Sequence, residues 1–98
     1  MALIDEAKTM LRVTTDNADI TAEIQRYIAE AILDLTATAD IAEFTEQTAD
    51  AFQKGAVLTY VHMKWTRDAS LAEKLRVVYE DYKAKMAMST KYGTFSED

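Results

Sequence analysis

Ninety-eight residues with a formal net charge of -6 make one small acidic domain, long enough for a modest core and short for a deep catalytic cleft. Hydrophobic content of 49% excludes a disordered chain, and the absence of cysteine excludes disulfides and cysteine-based zinc sites and suits a reducing cytoplasm. The acidic balance argues against a protein whose main task is gripping phosphates, and neither a membrane-length apolar run nor a signal-peptide start is present, so a soluble protein with no membrane partner is expected.

The chain has no proline, and its only glycines are Gly55 and Gly93, too few turn residues for a strand-and-turn protein. Apolar periodicity predicts helices instead. A first, short helix covers about Ala2–Arg12, with Leu3, Ala7 and Met10 on one face and Asp5 and Glu6 in the first turn, where the helix dipole favours them. Val13-Thr14-Thr15 is poor helix material and predicts a break. A second helix runs from about Asn17 to Thr38, capped by Asp16 or Asn17. Ile20, Ile24, Tyr27, Ile28, Ala31 and Leu35 form its buried stripe, and Leu33 falls on the opposite, polar side.

Residues 39–47 form a connector in which Asp40 and Glu43 have the spacing of a capping box, predicting one short turn that holds Ile41 and Phe44. The third helix spans about Thr48–Thr66, with a stripe of Phe52, Ala56, Tyr60 and Met63 and further apolar residues on its other sides. Gly55 within it lowers helix stability by about 1 kcal/mol relative to alanine, which close approach of another helix would explain. The fourth helix starts at Ser70 with a Ser70–Glu73 capping box and buries Leu71, Leu75, Val78, Tyr79, Tyr82 and Met86. Gly93 is its predicted C-cap, and Thr94–Asp98 a loose tail. The expected architecture is all-α: a compact bundle of about four helices, residues 1–93 as a single helical domain and 94–98 as a flexible tail.

Little in this pattern points to chemistry. His62 is the only histidine and has no carboxylate three or four positions away, so neither a nucleophilic triad nor a zinc site takes shape, and a structural or surface role is the simpler reading. Asp16 with Asp19 reads as helix-start chemistry and Glu80 with Asp81 as a solvated face. No glycine-rich phosphate loop occurs. The expectation is a protein with no enzymatic activity, cofactor or metal. Lys64, Trp65 and Arg67 form one small basic-aromatic cluster and Lys83, Lys85 and Lys91 another; neither makes a long basic stripe.

The apolar residues that fall out of phase are more informative. Leu33 on the second helix, with Val57, Val61 and Trp65 on a second face of the third, are candidate subunit-interface residues. Met88, Tyr92 and Phe95 follow the point where the fourth helix runs out of core. Three such groups on so short a chain suggest surfaces used between subunits, the competing reading being a thicker core. Charge is also uneven. Residues 1–49 hold three Lys/Arg and ten Asp/Glu; residues 50–98 hold eight and seven. An acidic half and a weakly basic half could attract each other head to tail between copies, the simpler reading being solubility.

The opening Ile4-Asp5-Glu6-Ala7-Lys8-Thr9-Met10-Leu11-Arg12-Val13-Thr14 resembles the start of the small head–tail connector (adaptor) family of tailed phages. An Asp-rich helix start at Asp16–Ile20, a long helix over Glu23–Leu35 and an alanine-containing helix ending in an aromatic and basic patch over Gln53–Trp65 extend the resemblance to roughly residues 3–83. The linker between the second and third helices departs from the pattern by lacking proline, and the turn after the third is Thr66-Arg67-Asp68. The resemblance implies a structural virion protein, assembled in the host cytoplasm. Copies would form a homo-oligomeric ring under the portal protein, link capsid to a tail or stopper protein, and extend a channel that DNA crosses without specific binding. It also implies that Met86, Met88, Tyr92 and Phe95 dock on the portal. Two other readings remain: a small regulatory DNA-binding protein using Lys74, Arg76, Lys83 and Lys85 of the fourth helix, and a monomeric helical adaptor for another protein.

Overall fold

The computed structural model of the protein describes residues 3–14, 17–38 and 43–88. Four α-helices follow one another: α1 Leu3–Leu11, α2 Ala18–Thr38, α3 Ala51–Trp65 and α4 Ala69–Met88, with no strand among the described residues. The all-α class and the short leading helix followed by three longer ones are as predicted. The expected Gly93 cap and the tail from Thr94 lie outside the described residues.

Local backbone chemistry sets the helix ends. After α1, Arg12 adopts the left-handed region at φ 59°. The Val13 N–H donates to the Lys8 carbonyl at 2.9 Å and the Arg12 N–H to the Thr9 carbonyl at 3.1 Å. This is the paired bonding of a Schellman end, held by an arginine rather than a glycine at a steric cost of roughly 1–2 kcal/mol. Asn17 caps α2, its Oδ1 accepting from the N–H groups of Asp19 at 2.8 Å and Ile20 at 3.2 Å.

Two predicted helix starts are corrected. Thr48 does not open α3, because it is engaged with Thr45: the Thr45 N–H donates to Thr48 Oγ1 at 2.8 Å and the Thr48 N–H to Thr45 Oγ1 at 3.3 Å. Asp50 caps α3 instead, its carboxylate accepting from the Gln53 N–H while Gln53 Oε1 accepts from the Asp50 N–H, each at 2.9 Å. At α4, Asp68 Oδ1 accepts from the N–H groups of Ser70 at 2.9 Å and Leu71 at 3.1 Å, so Ser70 lies inside the first turn. In both cases a carboxylate is the cap, as the helix dipole favours, and at α4 it displaces the predicted serine. In the connector, Asp40 and Ile41 of the predicted turn lie outside the described residues; among the described residues a turn falls at Glu46–Thr48, and Phe44 packs into the core ahead of it.

α3 contacts all three other helices. Its Ala56, Val57 and Val61 are fully enclosed by Leu3 and Ala7 of α1, by Ile24, Ile28, Ala31 and Leu35 of α2, and by Tyr79 and Met86 of α4, all within one cluster. Val57 and Val61 are therefore core residues and not the exposed second face predicted for them. A helix apolar on several sides is surrounded here by its own chain. Met86 is 0% exposed, as its place in the predicted stripe of α4 requires, which leaves no exposed side chain for the portal docking that the resemblance implies for it; it lies two turns beyond Tyr79 and points the same way. Val78 errs in the other direction. It was expected in the core and is 46% exposed, because the buried line of α4 runs through Tyr79 and Met86.

α3 and α4 form an antiparallel hairpin closed by Thr66–Asp68. The Phe52 and Tyr82 rings meet edge-on at 5.0 Å and the Tyr60 and Tyr79 rings tilt together at 5.2 Å. Gly55 has the close neighbour that its position implied: a Cβ there would lie 2.7 Å from Tyr82 Oη. A polar strap ties α4 to α2. Asp34 Oδ2 accepts from Tyr79 Oη at 2.7 Å and from Lys83 Nζ at 3.0 Å. Beside it, Tyr60 Oη donates to Glu30 Oε1 at 3.1 Å, and Lys54 of α3 pairs with Glu6 of α1 at 3.6 Å. The attraction between the acidic and basic halves is thus used first within one molecule. Burial, and then the bond to Asp34, pushes the Tyr79 hydroxyl well above the usual tyrosine range. Burial and Glu30 together raise Tyr60 to about 12.

Two outcomes are expected. Gly55→Ala gains about 1 kcal/mol of helix propensity but collides with Tyr82, so it should stabilise the Tyr82→Phe protein more than the wild type. Urea unfolding of the four proteins of that cycle measures the coupling, and strict additivity would remove the packing explanation of Gly55. Alkaline stability is the second. Below pH about 10 both tyrosines are neutral in the folded and unfolded chains. Above it the unfolded chain releases protons that the fold retains, so stability should fall as pH rises from about 10 towards 12. Tyr79→Phe should lower neutral-pH stability by about 1–3 kcal/mol and flatten the alkaline decline. Phenolate absorbance rising fully near pH 10 with helicity intact would contradict the strap.

Candidate interaction surfaces

With Ile24, Ile28, Ala31 and Leu35 of α2 turned inward, Leu33 is two positions from both Ala31 and Leu35 and points away from the core. It is 66% exposed, as its phase predicted. An open groove lies on each side of it. One, of about 420 Å³, is lined by Glu30, Leu33, Asp34, Ala37 and Tyr60. The other, of about 330 Å³, separates α2 from the segment before α3, where Ile32, Leu33 and Thr36 share its lining with Phe44, Thr45 and Gln47. The first has an apolar floor and a carboxylate rim, with Glu30 engaged by Tyr60 and Asp34 by Tyr79 and Lys83. Such a surface can receive an apolar side chain beside a cation; it offers no nucleophile.

α4 supplies a second exposed apolar patch. Val77 is 55% exposed and Val78 borders an open groove with Phe52, Asp81, Tyr82 and Lys85. Val77 was not singled out from the sequence. The signal was available, since residues two apart point to nearly opposite sides of a helix and one that buries Tyr79 must expose Val77. Met88 stands 81% exposed near the end of α4, and Tyr92 and Phe95 lie outside the described residues. Trp65 is half-buried; it packs against the core and lines a groove with Glu23, Thr66 and Arg67.

The cations proposed for DNA contact are mostly engaged. Arg76 holds Glu73 through two bonds, Nη2 to Oε1 at 2.6 Å and Nε to Oε2 at 3.0 Å. That bonding keeps the Glu73 carboxyl below its ordinary range. Lys85 pairs with Asp81 at 2.9 Å, and Lys83 with Asp34 and with Glu80 at 3.6 Å. Glu80 and Asp81 therefore serve a solvated, ion-paired face. Lys74 makes no ion pair among the described residues. His62 is half-buried on α3, and no group of three or more His, Cys, Asp or Glu that could hold a metal ion occurs among the described residues. No helix is long and apolar enough to cross a membrane among those residues.

The sequence matches the family model described as phage connector protein over residues 3–93. No curated protein and no solved structure matches it. A match across nearly the whole chain, on a four-helix fold with apolar patches left on two of its outer faces, settles the family: this chain belongs to the phage connector proteins.

Proposed function

We propose that the chain is a head–tail connector subunit that forms a ring under the portal protein, receives a tail or stopper protein on the far side, and extends the channel through which DNA passes. The observation that carries the reading, beside the family, is Leu33: a large apolar side chain, 66% exposed on an acidic helix between two open grooves. Exposed apolar surface of that kind fits contact with protein rather than with phosphate. The engaged cations of α4 leave the duplex-binding reading little to work with, and an acidic channel wall would repel DNA rather than hold it.

The roles of the candidate residues narrow accordingly. Leu33 and the rim residue Trp65 stay as subunit-interface candidates, and Met88, Tyr92 and Phe95 as portal-docking candidates. Residues 1–93 act as the connector domain, with 94–98 as its tail. The subunit performs no chemistry and needs no cofactor. It belongs to the virion and is assembled in the host cytoplasm.

Light scattering across concentration, with and without a portal ring, tests this. Leu33→Glu should keep its helicity by circular dichroism and lose self-association, and Met88→Glu should weaken portal binding alone. Val61→Glu should unfold, since it places an unpaired charge in the core. A strictly monomeric wild type with no affinity for the portal would support the monomeric-adaptor reading instead. Tight duplex binding that weakens steeply with salt would support the DNA-binding one.

A further inference from the structure

A ring of identical copies needs two different surfaces on each copy, one that receives and one that inserts, because a self-complementary patch closes at a dimer. The described residues carry apolar patches suited to both parts, on different helices. One is Leu33 on α2 with its flanking grooves; the other is Val77 and Val78 on α4. α4 turns one flank towards α2 and carries the Val77–Val78 patch on another. Tyr79 and Lys83 take one flank to Asp34 of α2, whereas Val78, Tyr82 and Lys85 line a groove with Phe52 at the start of α3.

Charge distinguishes the patches as well. α2 carries Asp19, Glu23, Glu30 and Asp34 against Arg26, which pairs with Glu30 at 3.7 Å, while Asp34 is paired with Lys83 of the same copy, so its acidic excess is largest at Asp19 and Glu23. α4 carries Lys74, Arg76, Lys83 and Lys85 against Glu73, Glu80 and Asp81. Lys74 stands three and four positions before Val77 and Val78, on their side of the helix, without an ion-pair partner among the described residues. Two α2 faces brought together would set acid against acid. An α2 face against an α4 face sets an acidic rim beside a spare lysine.

Resting on the ring reading above, we propose that the junction between subunits is head to tail: the Val77–Val78 edge of α4 in one copy seats on the Leu33 face of α2 in the next. Lys74 then approaches the acidic side of α2. The occupant of the Leu33 grooves is a second copy of this chain.

Blocked variants test the polarity of this junction. Leu33→Glu removes the receiving face and leaves the inserting one, and Val78→Glu does the reverse. Both sites are exposed, so circular dichroism should show unchanged helicity; Val77→Glu serves as a second variant of the α4 face. At a concentration where the wild type associates in sedimentation velocity, each variant alone should stay at the monomer mass of 11.0 kDa. Their equimolar mixture should form a species of twice that mass and nothing larger, since one sound junction forms and both outer ends are blocked. The inference is overturned if the wild type associates while the mixture stays monomeric, if either folded variant associates alone as the wild type does, or if the mixture grows past the dimer. A wild type that stays monomeric both alone and with a portal ring defeats the ring reading itself, and this inference with it.

Discussion

Helix α3 is apolar on more than one side, and burying it takes three neighbours. That constraint organises the molecule. α2 covers it with Ile24, Ile28, Ala31 and Leu35, α1 with Leu3 and Ala7, and α4 with Tyr79 and Met86. The hydrophobic effect is non-directional and would accept several arrangements of these helices. The hairpin turn at Thr66–Asp68, the Gly55–Tyr82 approach and the Asp34 strap select one. Gly55 does so by shape, since only a residue without a Cβ admits the Tyr82 hydroxyl at that distance.

The strap also decides which surfaces are left over. Once Tyr79 and Lys83 reach Asp34, the rotation of α4 about its own axis is fixed, and Val77, Val78 and Met88 are turned outward. Helix spacing on α2 sets Glu30 and Asp34 beside Leu33, so the acceptor of the strap is also part of the acidic rim of the groove there. A stabilising contact inside the subunit and the character of its outer faces therefore share one cause. Removing Asp34 would loosen the fold and re-aim the surface together, which makes it a poor site for separating stability from assembly.

Much of this was legible in the sequence. The number and order of helices followed from periodicity and from the scarcity of glycine and proline. A cap at Asp16 or Asn17, of which Asn17 serves, the exposure of Leu33 and the close neighbour of Gly55 followed from spacing and elementary sterics. Periodicity names the faces of a helix and leaves open how many neighbours will cover them. Val57 and Val61 were therefore read as outward when α3 was in fact enclosed on three sides. Val78 was read as inward because a strip through Leu71, Leu75 and Val78 competes with one through Tyr79 and Met86, and only the tertiary pull of Asp34 on Tyr79 decides between them. The starts of α3 and α4 were misplaced by two or three residues for a local reason: Thr48 is engaged with Thr45 ahead of the Asp50 cap, and at α4 Asp68 outcompeted Ser70 as the cap.

α1 stands apart from this arrangement. Its nine residues are too few to hold a helix in water unaided. It is anchored by two enclosed side chains, Leu3 and Ala7, and by the ion pair of Glu6 with Lys54. It ends on an arginine held in the left-handed region, where glycine would rest without strain. In the hierarchy of local openings α1 is expected to be the first element to detach, its amides exchanging with solvent well before those of α2, α3 and α4, and similar protection across all four helices would argue otherwise. In the ring proposed above, small angular errors between copies have to be absorbed somewhere, and a short leading helix held by two enclosed side chains and one ion pair is a place where such misfit can be taken up.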